Sequence, residues 1–508
     1  MSYYIGGEKM KKVLAIVMLI IMAMIILSCQ NNDTIQTNSG PTETDYETES
    51  FSNSSSTTID KSTPEETTYI NSKEDILNKW SGKTINVLTT NYIPSSQNPW
   101  SQVEIDSGKF GEKMVSSQNN RQSMIQKTYG VNVNWISSDN YQSIYQDIEK
   151  AVSSNDVTYE IVFVRTSELF TMASYMLDLG NNIYIDFTQD YYSQEAYKMF
   201  TLYGHTLYAE GDFCITNNEN SEVLMFNKKL LNEIASESNI YDDVKNGKWT
   251  YEKMVSLARN AYSDDGDGVV NDFDTFGLSC TSFDRTLYRS FGVYGVKPSG
   301  DNGYEITEAK YDDRINSALS ILRSLRSNEY NWARLSWGGN YGSNAQEAFK
   351  DGRVLFYSDV VQQLNSFYDL SFDMGVLPLP KYDEEQDRYY VTQTPMRSLF
   401  VGVPECTSDK EMSYYFLDVL SWSERDYLKE HYLEYKSKVF SRDTRDIDID
   451  ILEHYIFANK MYDVASFGTI PMFGEIETGN RPIESIRNND DYIVTIERMN
   501  APWKNYEK

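Results

Sequence analysis

The sequence predicts an α/β fold of two packed units that follow a polar N-terminal segment. The chain has 508 residues, more than a single hydrophobic core usually organises. Hydrophobic residues make up 40% of the chain, which supplies enough apolar surface for such cores. From Thr84 onward, short strand-like apolar runs alternate with stretches of helical periodicity. This alternation predicts parallel sheets covered by helices.

The first predicted strand follows Gly82. Thr84–Thr90 (TINVLTT) is short, apolar and rich in β-branched residues, as buried strands are. The stretch 120–129 reads as a helix, and Gly130 directly after it predicts where that helix ends, because glycine tolerates the backbone turn at a C-terminus. The stretch 131–136 then predicts a second strand.

The alternation continues through the next elements. Ile144, Ile148 and Val152 recur at i, i+4 and i+8, which predicts a helix with one apolar face. The stretch 161–164 predicts the third strand, and 169–179 predicts a further helix. Strands joined by helices in this way form right-handed βαβ units and one parallel sheet.

Ligand sites of parallel sheets lie beyond the carboxyl ends of the strands. In this sequence Asn91 and Tyr92 follow the first predicted strand, and Arg165 and Thr166 follow the third. We therefore expect these four residues at one edge of the sheet, near any small molecule that the protein binds.

The N-terminus has the layout of a secretory signal. Lys11 and Lys12 precede an uninterrupted apolar run, Val13–Leu27, which is too short to span a bilayer comfortably as a helix. The sequence that ends this run, Ile-Leu-Ser before Cys29, resembles a bacterial lipobox. This resemblance implies that 1–29 is a lipoprotein signal peptide segment, and that Cys29 is lipidated and becomes the mature N-terminus. The alternative is an uncleaved helix that anchors the chain in the membrane. The sequence also leaves open whether translation starts at Met1 or at Met10.

The stretch 30–75 is dominated by Ser, Thr, Asn, Asp and Glu, as in the run SNSSSTT, and has few large apolar residues. Such a segment buries too little surface to offset the entropy of ordering it. It is predicted to be a disordered tether between the anchor and the folded part.

The charge balance excludes several classes of partner. The formal net charge is -29, so the surface repels nucleic acid and anionic lipid headgroups. Neither a zinc site nor a Cys/His nucleophile pair is expected, because no CxxC spacing occurs and the cysteines and histidines are scattered. These residues are Cys29, Cys214, Cys280, Cys406, His205, His431 and His454. The sequence leaves open a single disulfide bond among the three cysteines that follow Cys29.

Five segments, taken in order, resemble the family 1 extracellular solute-binding proteins of Gram-positive bacteria. They are VLMFNKKLL (223–231), NGKWTY (246–251), SDDGDGVVNDFDTFGL (263–278), AFKDGRVLF (348–356) and GVLPLPKY (375–382). Each segment alone is weak evidence for this family, but the occurrence of all five in this order across about 82–468 is specific to it. In some relatives a tryptophan pair stands where this chain has Tyr191 and Tyr192, which leaves the role of that position open.

The resemblance implies an α/β fold of two lobes joined by a hinge, the type II periplasmic-binding-protein-like fold. In this family the two lobes close around a ligand. Carried onto this sequence, the first lobe would hold 76–214 and 353–422, and the second lobe would hold 215–352 and 423–508. The implied function is extracytoplasmic binding of a solute, a carbohydrate above all, and its delivery to an ABC importer by a monomer on the outer face of the cell membrane.

The acidic segment has the spacing of an EF-hand-like calcium loop. With Gly268 at the sixth place, the ligand places 1, 3, 5, 7, 9 and 12 fall on Ser263, Asp265, Asp267, Val269, Asn271 and Asp274. Serine at the first place and aspartate at the twelfth depart from the usual pattern. We expect either a structural Ca²⁺ site or a solvated acidic turn without metal.

Receptors for sugars pair flat aromatic rings with polar side chains, because a sugar has C–H faces and hydroxyl edges. The residues that lobe geometry and local sequence nominate as ligand contacts are Asn91, Tyr92, Arg165, Phe213, Trp337, Tyr357 and Phe473. Tyr357 directly follows the apolar run VLF (354–356), which predicts a strand, and is expected at the carboxyl end of that strand. Ordinary packing is the alternative role for each of these candidates.

No catalytic motif is found: GxSxG, HExxH, the P-loop and a GxGxxG that opens a helix are all missing from the sequence. A binding protein without catalytic residues is therefore expected. Two other functions stay open, a receptor that reports its ligand to a membrane sensor kinase and a secreted glycan hydrolase that uses paired carboxylates.

Overall fold

Two separate β-sheets organise the chain in the computed structural model, and helices pack around each of them. The structure describes residues 76–90, 112–138, 141–154, 158–280, 283–299, 303–306, 312–326, 331–334, 341–393, 398–467 and 490–506. These residues all belong to one compact unit, Asn71–Lys508. The predicted signal peptide and tether lie outside the described residues.

The described strands are β1 (Thr84–Thr90), β2 (Asn132–Ser138), β3 (Ile161–Arg165), β4 (Thr201–Leu202), β5 (His205–Thr206), β6 (Glu222–Asn227), β7 (Phe276–Cys280), β8 (Val296–Pro298), β9 (Tyr304–Ile306), β10 (Ala333–Arg334), β11 (Val354–Val360), β12 (Met374–Leu377), β13 (Val391–Thr392), β14 (Leu399–Gly402) and β15 (Lys460–Met461). The described α-helices are α1 (Glu112–Tyr129), α2 (Tyr141–Ser154), α3 (Leu169–Met172), α4 (Gln194–Phe200), α5 (Lys228–Ile234), α6 (Ile240–Lys245), α7 (Tyr251–Ala261), α8 (Phe283–Ser290), α9 (Asp312–Arg326), α10 (Tyr341–Lys350), α11 (Lys410–Glu424), α12 (Glu430–Lys436), α13 (Arg445–Asp450) and α14 (Asp490–Lys504).

Shorter helical segments complete the described secondary structure. The 3₁₀ segments are Ala173–Tyr175, Asp212–Asn220, Val361–Ser366, Ser437–Val439, Phe457–Asn459 and Val464–Phe467, and the π-helical segments are Arg425–Lys429 and Ile451–Ile456.

The first sheet has the strand order β14-β3-β1-β2. β1 is parallel to both β2 and β3, with Val87 opposite Trp135 and Ile161, while β14 runs antiparallel to β3. The three strands predicted from the sequence are therefore confirmed as a parallel group. The first helix ends at Tyr129 as expected, and Gly130 has a φ of 66°.

The second sheet has the order β10-β7-β11-β6-β12. β11 is parallel to β7, while β6 runs antiparallel to its neighbours β11 and β12. The strands β6, β7, β11 and β12 are buried along their whole length, which explains why their sequences are almost continuously apolar. The two sheets are the centres of the first and second lobe.

The helix predicted at 169–179 is wrong beyond its first turns. The α-helix α3 ends at Met172 and a 3₁₀ turn follows it. Met176 is then extended and forms a bridge with Pro404, and the Leu177 N–H donates to the Val403 carbonyl at 2.8 Å. Pairing with this distant strand-like segment replaces the helical hydrogen bonds that the local sequence favours.

The strand pairing also differs from the predicted lobe boundaries. The segment 353–377 was expected in the first lobe. Its strands β11 and β12 instead pair with β6, one on each side of it, and so belong to the second sheet. The chain returns to the first sheet only at β14. At the C-terminus, Trp503 of α14 donates to the Phe200 carbonyl at 3.3 Å, and the Phe200 ring contacts Phe400 of β14, so the last helix packs beside the first sheet. The same helix also binds β9, through Asn500 and the backbone of Tyr304.

A buried ion pair joins α1, which packs on the first sheet, to the end of α11. Arg121 of α1 and Glu424 at the end of α11 pair directly, with side chains only 1% and 2% exposed. Burial lowers the pKa of Arg121 to about 10, so its guanidinium keeps its charge at neutral pH. The pair depends on both partners, because either charge alone would be buried without compensation.

We predict that Arg121→Met lowers the free energy of unfolding by about 3–5 kcal/mol, since it leaves the Glu424 carboxylate buried and unpaired. Urea denaturation measures the loss. The double variant R121M/E424M should recover most of it. Lys79→Met is the control, because Lys79 and Glu411 form an exposed pair with side chains 42% and 57% exposed, and its effect should be much smaller. Equal losses in R121M and K79M would contradict the prediction.

Candidate functional site

The chain crosses between the two sheets in three places, and the crossings contact one another. The first crossing leaves the first sheet at Ala209, which pairs with Val401 through two backbone hydrogen bonds of 2.8 and 2.9 Å. The second crossing leads from β12 to β14 and forms a bridge between Gln393 and Ser221 of the first crossing. The third contains β15, which pairs with β13 in the second crossing. These crossings are the hinge between the lobes.

The first crossing is built from a 3₁₀ helix, Asp212–Asn220, that ends in a run of buried polar residues. The Asn217 amide is committed to the first lobe. Its nitrogen donates to the Leu399 carbonyl at 2.8 Å and to Glu210 at 3.0 Å, and its oxygen accepts from the Leu399 N–H at 2.8 Å. This side chain holds the crossing against β14.

Glu219 holds the same crossing against the C-terminal helices. Its carboxylate accepts from the Tyr432 hydroxyl at 2.7 Å and from the Lys436 ammonium at 2.6 Å. Lys436 also donates to Asn365, in the 3₁₀ helix that follows β11, at 3.2 Å. Burial lowers the pKa of Lys436, while the carboxylate of Glu219 acts in the opposite direction. One ion pair therefore joins the crossing, α12 and the second lobe.

Two further contacts join the remaining crossings. Lys460 of β15 donates to Glu210 at 2.9 Å, with side chains only 10% and 0% exposed. The Gln393 amide nitrogen donates to the Ser221 hydroxyl at 2.8 Å. All three crossings are thus linked by hydrogen bonds or ion pairs between buried side chains.

The carboxyl ends of strands in both sheets meet the first crossing. Arg165 is the last residue of β3 and lies opposite Leu399, the residue that binds Asn217. Val360 is the last residue of β11 and lies opposite Glu222, where the first crossing enters β6. The edges at which parallel sheets bind ligands therefore face one shared region between the lobes. We call this region the interlobe site.

Buried polar residues are concentrated around the interlobe site. At the strand ends and in the first crossing they are Arg165, Thr166, Asn218, Asn220, Glu222, Asp359 and Gln362, each at least 91% buried. Asp359 accepts from the Tyr357 hydroxyl at 2.7 Å and from the Val360 N–H at 2.8 Å. Close by in sequence, burial raises the pKa of Glu168 to about 7, and the charge of Arg165 partly offsets this rise. Polar groups from both sheets and from the first crossing therefore lie close to one another in sequence and pairing at this region.

The sequence-predicted ligand contacts fall in different places. Arg165 lies at the interlobe site as expected, whereas Asn91, Tyr92, Trp337 and Phe473 lie outside the described residues.

The rings of the two described aromatic candidates are enclosed by other aromatic rings. Phe213 is 1% exposed and its ring lies 5.0 Å from that of Phe163. Tyr357 was expected at the end of its strand, but it lies within β11 and is stacked on Phe349 at 5.5 Å. The expected position of Tyr357 is wrong because β11 continues to Val360. Neither ring offers a face to a ligand in this conformation.

Tyr191 and Tyr192 support the first crossing. Both hydroxyls donate to the same oxygen of the buried Asp418, at 3.0 and 3.1 Å. The Tyr191 carbonyl lies against Gly211, where an added Cβ would come within 2.0 Å of it. Both tyrosines are 4% exposed, so the position that carries a tryptophan pair in some relatives serves packing at the hinge in this structure.

The polar run of the first crossing, 217–222, was missed in the sequence analysis. A sequence signal for it exists, because NNENSE directly precedes the continuous apolar stretch of β6. Polar residues at that density are unusual beside a buried strand, and they mark a segment that binds other polar groups. Which partners they bind depends on segments about 180–220 residues away, as the contacts of Asn217 and Glu219 show.

The acidic loop brings three carboxylates together. Asp264, Asp265 and Asp267 each offer an oxygen within 4.8 Å of the others, and they are the one such group among the described residues. Asp264 was not in the predicted ligand set, and the predicted Ser263 is instead held by a backbone bridge to Thr275. The cluster is open to solvent and has the all-oxygen chemistry that calcium prefers.

The later places of the predicted loop have internal partners. Asp274 is fully buried and accepts from the N–H groups of Asp265 at 3.0 Å and Asn271 at 3.2 Å. The Asn271 amide donates to the Val269 carbonyl at 3.0 Å and to Asp267 at 2.9 Å. These contacts shape the loop around its carboxylate cluster.

A family profile described as "Bacterial extracellular solute-binding protein" matches residues 122–428, more than half of the chain. The protein belongs to this solute-binding family. The family resemblance seen in the sequence is therefore confirmed, and the family is one of extracellular binding proteins, so this solute-binding protein acts outside the cytoplasm. No curated protein matches it in sequence. Within the described residues, no helix combines the length and the apolar character that crossing a membrane requires.

One solved structure shares the two-lobed fold, and two others match less well. A cyclo/maltodextrin-binding protein complexed with maltotetraose matches with a TM-score of 0.50 at 10% identity, over 84% of this chain and 98% of that chain. A maltose/maltodextrin-binding domain from Bdellovibrio bacteriovorus, bound to maltotriose, matches with a TM-score of 0.45 at 12% identity, over 82% and 99%. An acarbose-binding receptor of Streptomyces glaucescens matches with a TM-score of 0.45 at 14% identity, over 84% and 99%. The first match confirms the fold class.

Proposed function

We propose that this solute-binding protein captures a carbohydrate at the interlobe site and delivers it to an ABC importer as a monomer. The observation that carries the proposal is family membership combined with the two-lobed fold that it shares with a maltotetraose complex along nearly the whole length of that protein. The buried polar residues around that site support it, because a neutral sugar binds through its hydroxyl groups. The net charge of -29 disfavours anionic solutes.

Ligand capture would work by a shift between open and closed lobes. A solute that contacts both lobes stabilises the closed state by the difference between its affinities for the two states. The interlobe site suits this role because residues of both sheets and of the first crossing lie at it. The closed shape would then be the form that the importer binds, and no chemical step on the solute is proposed.

Binding of a sugar should raise the melting temperature of the protein that lacks the signal peptide. At a ligand concentration about 100-fold above Kd, the rise should be about 2–4 °C or more, since only the folded state binds. A thermal-shift screen with maltotriose, maltotetraose and other oligosaccharides measures it, with chromatography of the sugars to detect cleavage. A shift with another solute class and with no sugar would contradict the carbohydrate assignment, and turnover would contradict the binding role.

We also propose attachment to the outer face of the membrane through lipidated Cys29. The acyl chains would supply the attachment that a surface of net charge -29 cannot obtain from anionic lipids. Cys29→Ser should release the protein into the medium, as measured by fractionation and immunoblotting. Cys214→Ser is the control, because that buried cysteine lies in the folded part and its loss should leave attachment unchanged. Retention of C29S in the membrane would favour an uncleaved anchor helix.

The acidic loop is proposed as a structural calcium site formed by Asp264, Asp265 and Asp267. Their clustered, exposed carboxylates fit an oxygen-liganded ion, which would reduce the repulsion between them and stabilise the connection between α7 and β7. Extracellular modules of this type bind calcium with Kd values of about 10⁻⁴–10⁻³ M. The ion would have no catalytic role.

Millimolar calcium should raise the melting temperature, and chelation should reverse the rise, because calcium binds the folded loop. The variant D265N/D267N should lose the response. Asp272→Asn is the matched control in the same loop, because the Asp272 carboxylate pairs with Arg334 at 2.6 Å and lies outside the cluster. A melting temperature that is indifferent to calcium in the wild type would refute the site.

A further inference from the structure

Asn218 differs from its neighbours in the first crossing because its side chain is not used to hold the fold. The residue is 6% exposed, and no hydrogen bond joins its amide group to any residue in the described ranges. Its backbone carbonyl accepts from the Ser221 N–H at 3.3 Å. The amide atoms are not among the fully buried polar atoms that lack a partner, so the small exposed part of the residue includes its amide, which a bound molecule can reach.

The geometry of the 3₁₀ helix separates Asn218 from the partners of its neighbours. Successive side chains of such a helix leave the axis about 120° apart, because it has three residues per turn. Asn217 binds Leu399 of the first sheet, and Glu219 binds Tyr432 and its helix. Asn218 therefore leaves in a third direction, away from both contacts.

The elements around this position belong to both lobes. The 3₁₀ helix of the crossing contacts β14 of the first sheet and the 3₁₀ helix Val361–Ser366 that follows β11 of the second. It also lies where the carboxyl ends of β3 and β11 meet. A polar group in this place can contact a molecule that both lobes enclose.

We infer that Asn218 is a ligand-contacting residue that selects for hydroxyl groups of a neutral solute, an inference that rests on the proposed function of the interlobe site. An amide has two N–H donors and one carbonyl acceptor. A hydroxyl group donates and accepts, so it satisfies both ends of the amide. Ionised carboxylates only accept and ammonium groups only donate, so each leaves part of the amide unpaired.

The experiment compares Asn218→Ala, Asn218→Asp and, as a matched control, Asn217→Ala. Without ligand, N218A should melt within about 1–2 °C of the wild type, because no hydrogen bond within the protein is lost. N217A should melt several degrees lower, since it leaves Glu210 and the Leu399 backbone without their partner. A fall in N218A equal to that in N217A would overturn the inference, because it would make Asn218 a structural residue.

The ligand arm uses four probes, maltotetraose, tetraglycine, tricarballylate (a tricarboxylate without a hydroxyl group) and spermidine, in thermal shift and calorimetry. We expect maltotetraose to bind the wild type, N218A to weaken this binding at least 10-fold, and N218D to weaken it also, because a carboxylate cannot donate. Sugar binding that N218A leaves within 2-fold would overturn the inference and leave the proposed function intact.

Other results separate the two proposals. Binding of tetraglycine, tricarballylate or spermidine but not of maltotetraose would overturn the carbohydrate assignment, and the hydroxyl selectivity of Asn218 with it. Binding of none of the four probes would likewise overturn the assignment to maltodextrins and the hydroxyl selectivity inferred from it.

Discussion

The organisation of this protein depends on ion pairs between charged side chains that are buried where the chain crosses between its lobes. Glu210 pairs with Lys460, and Glu219 pairs with Lys436, in each case with a partner more than 200 residues away in sequence. A buried charge is costly to remove from water, so each of these groups requires its partner in place. The pairs therefore specify how the crossings meet, even where they add little net stability.

This constraint places the candidate binding site. Because the crossings are held together, the carboxyl ends of β3 and β11 are directed at the same region, and the polar side chains of both lobes gather there. Most side chains of the first crossing are used to hold it: Asn217 binds the first sheet and Glu219 binds the C-terminal helices. Asn218 lies between them, on a backbone that its two neighbours fix in place. Its own amide group makes no hydrogen bond to the described residues.

Local sequence was a good guide where local forces decide the structure. The strands at 84–90 and 161–165 were predictable because they are short apolar runs with turn residues beside them. It was a poor guide at 169–179, where Met176 and Leu177 bind a segment more than 220 residues away, and at Tyr357, where β11 continues for three residues beyond the tyrosine. In the acidic loop, the spacing located the carboxylates, but the folded turn also brought Asp264 into their cluster.

By itself the sequence determined the α/β class, the solute-binding family, the acidic character of the surface and the position of the acidic loop. These follow from composition, periodicity and motif order, which depend on residues close together in the chain. Only the tertiary structure decided which lobe holds β11 and β12, where the last helix packs, which aromatic rings are enclosed, and which of three neighbouring polar residues keeps its side chain uncommitted. Those outcomes depend on strand pairing and buried hydrogen bonds across hundreds of residues, and a pattern of local residue types does not specify such partners.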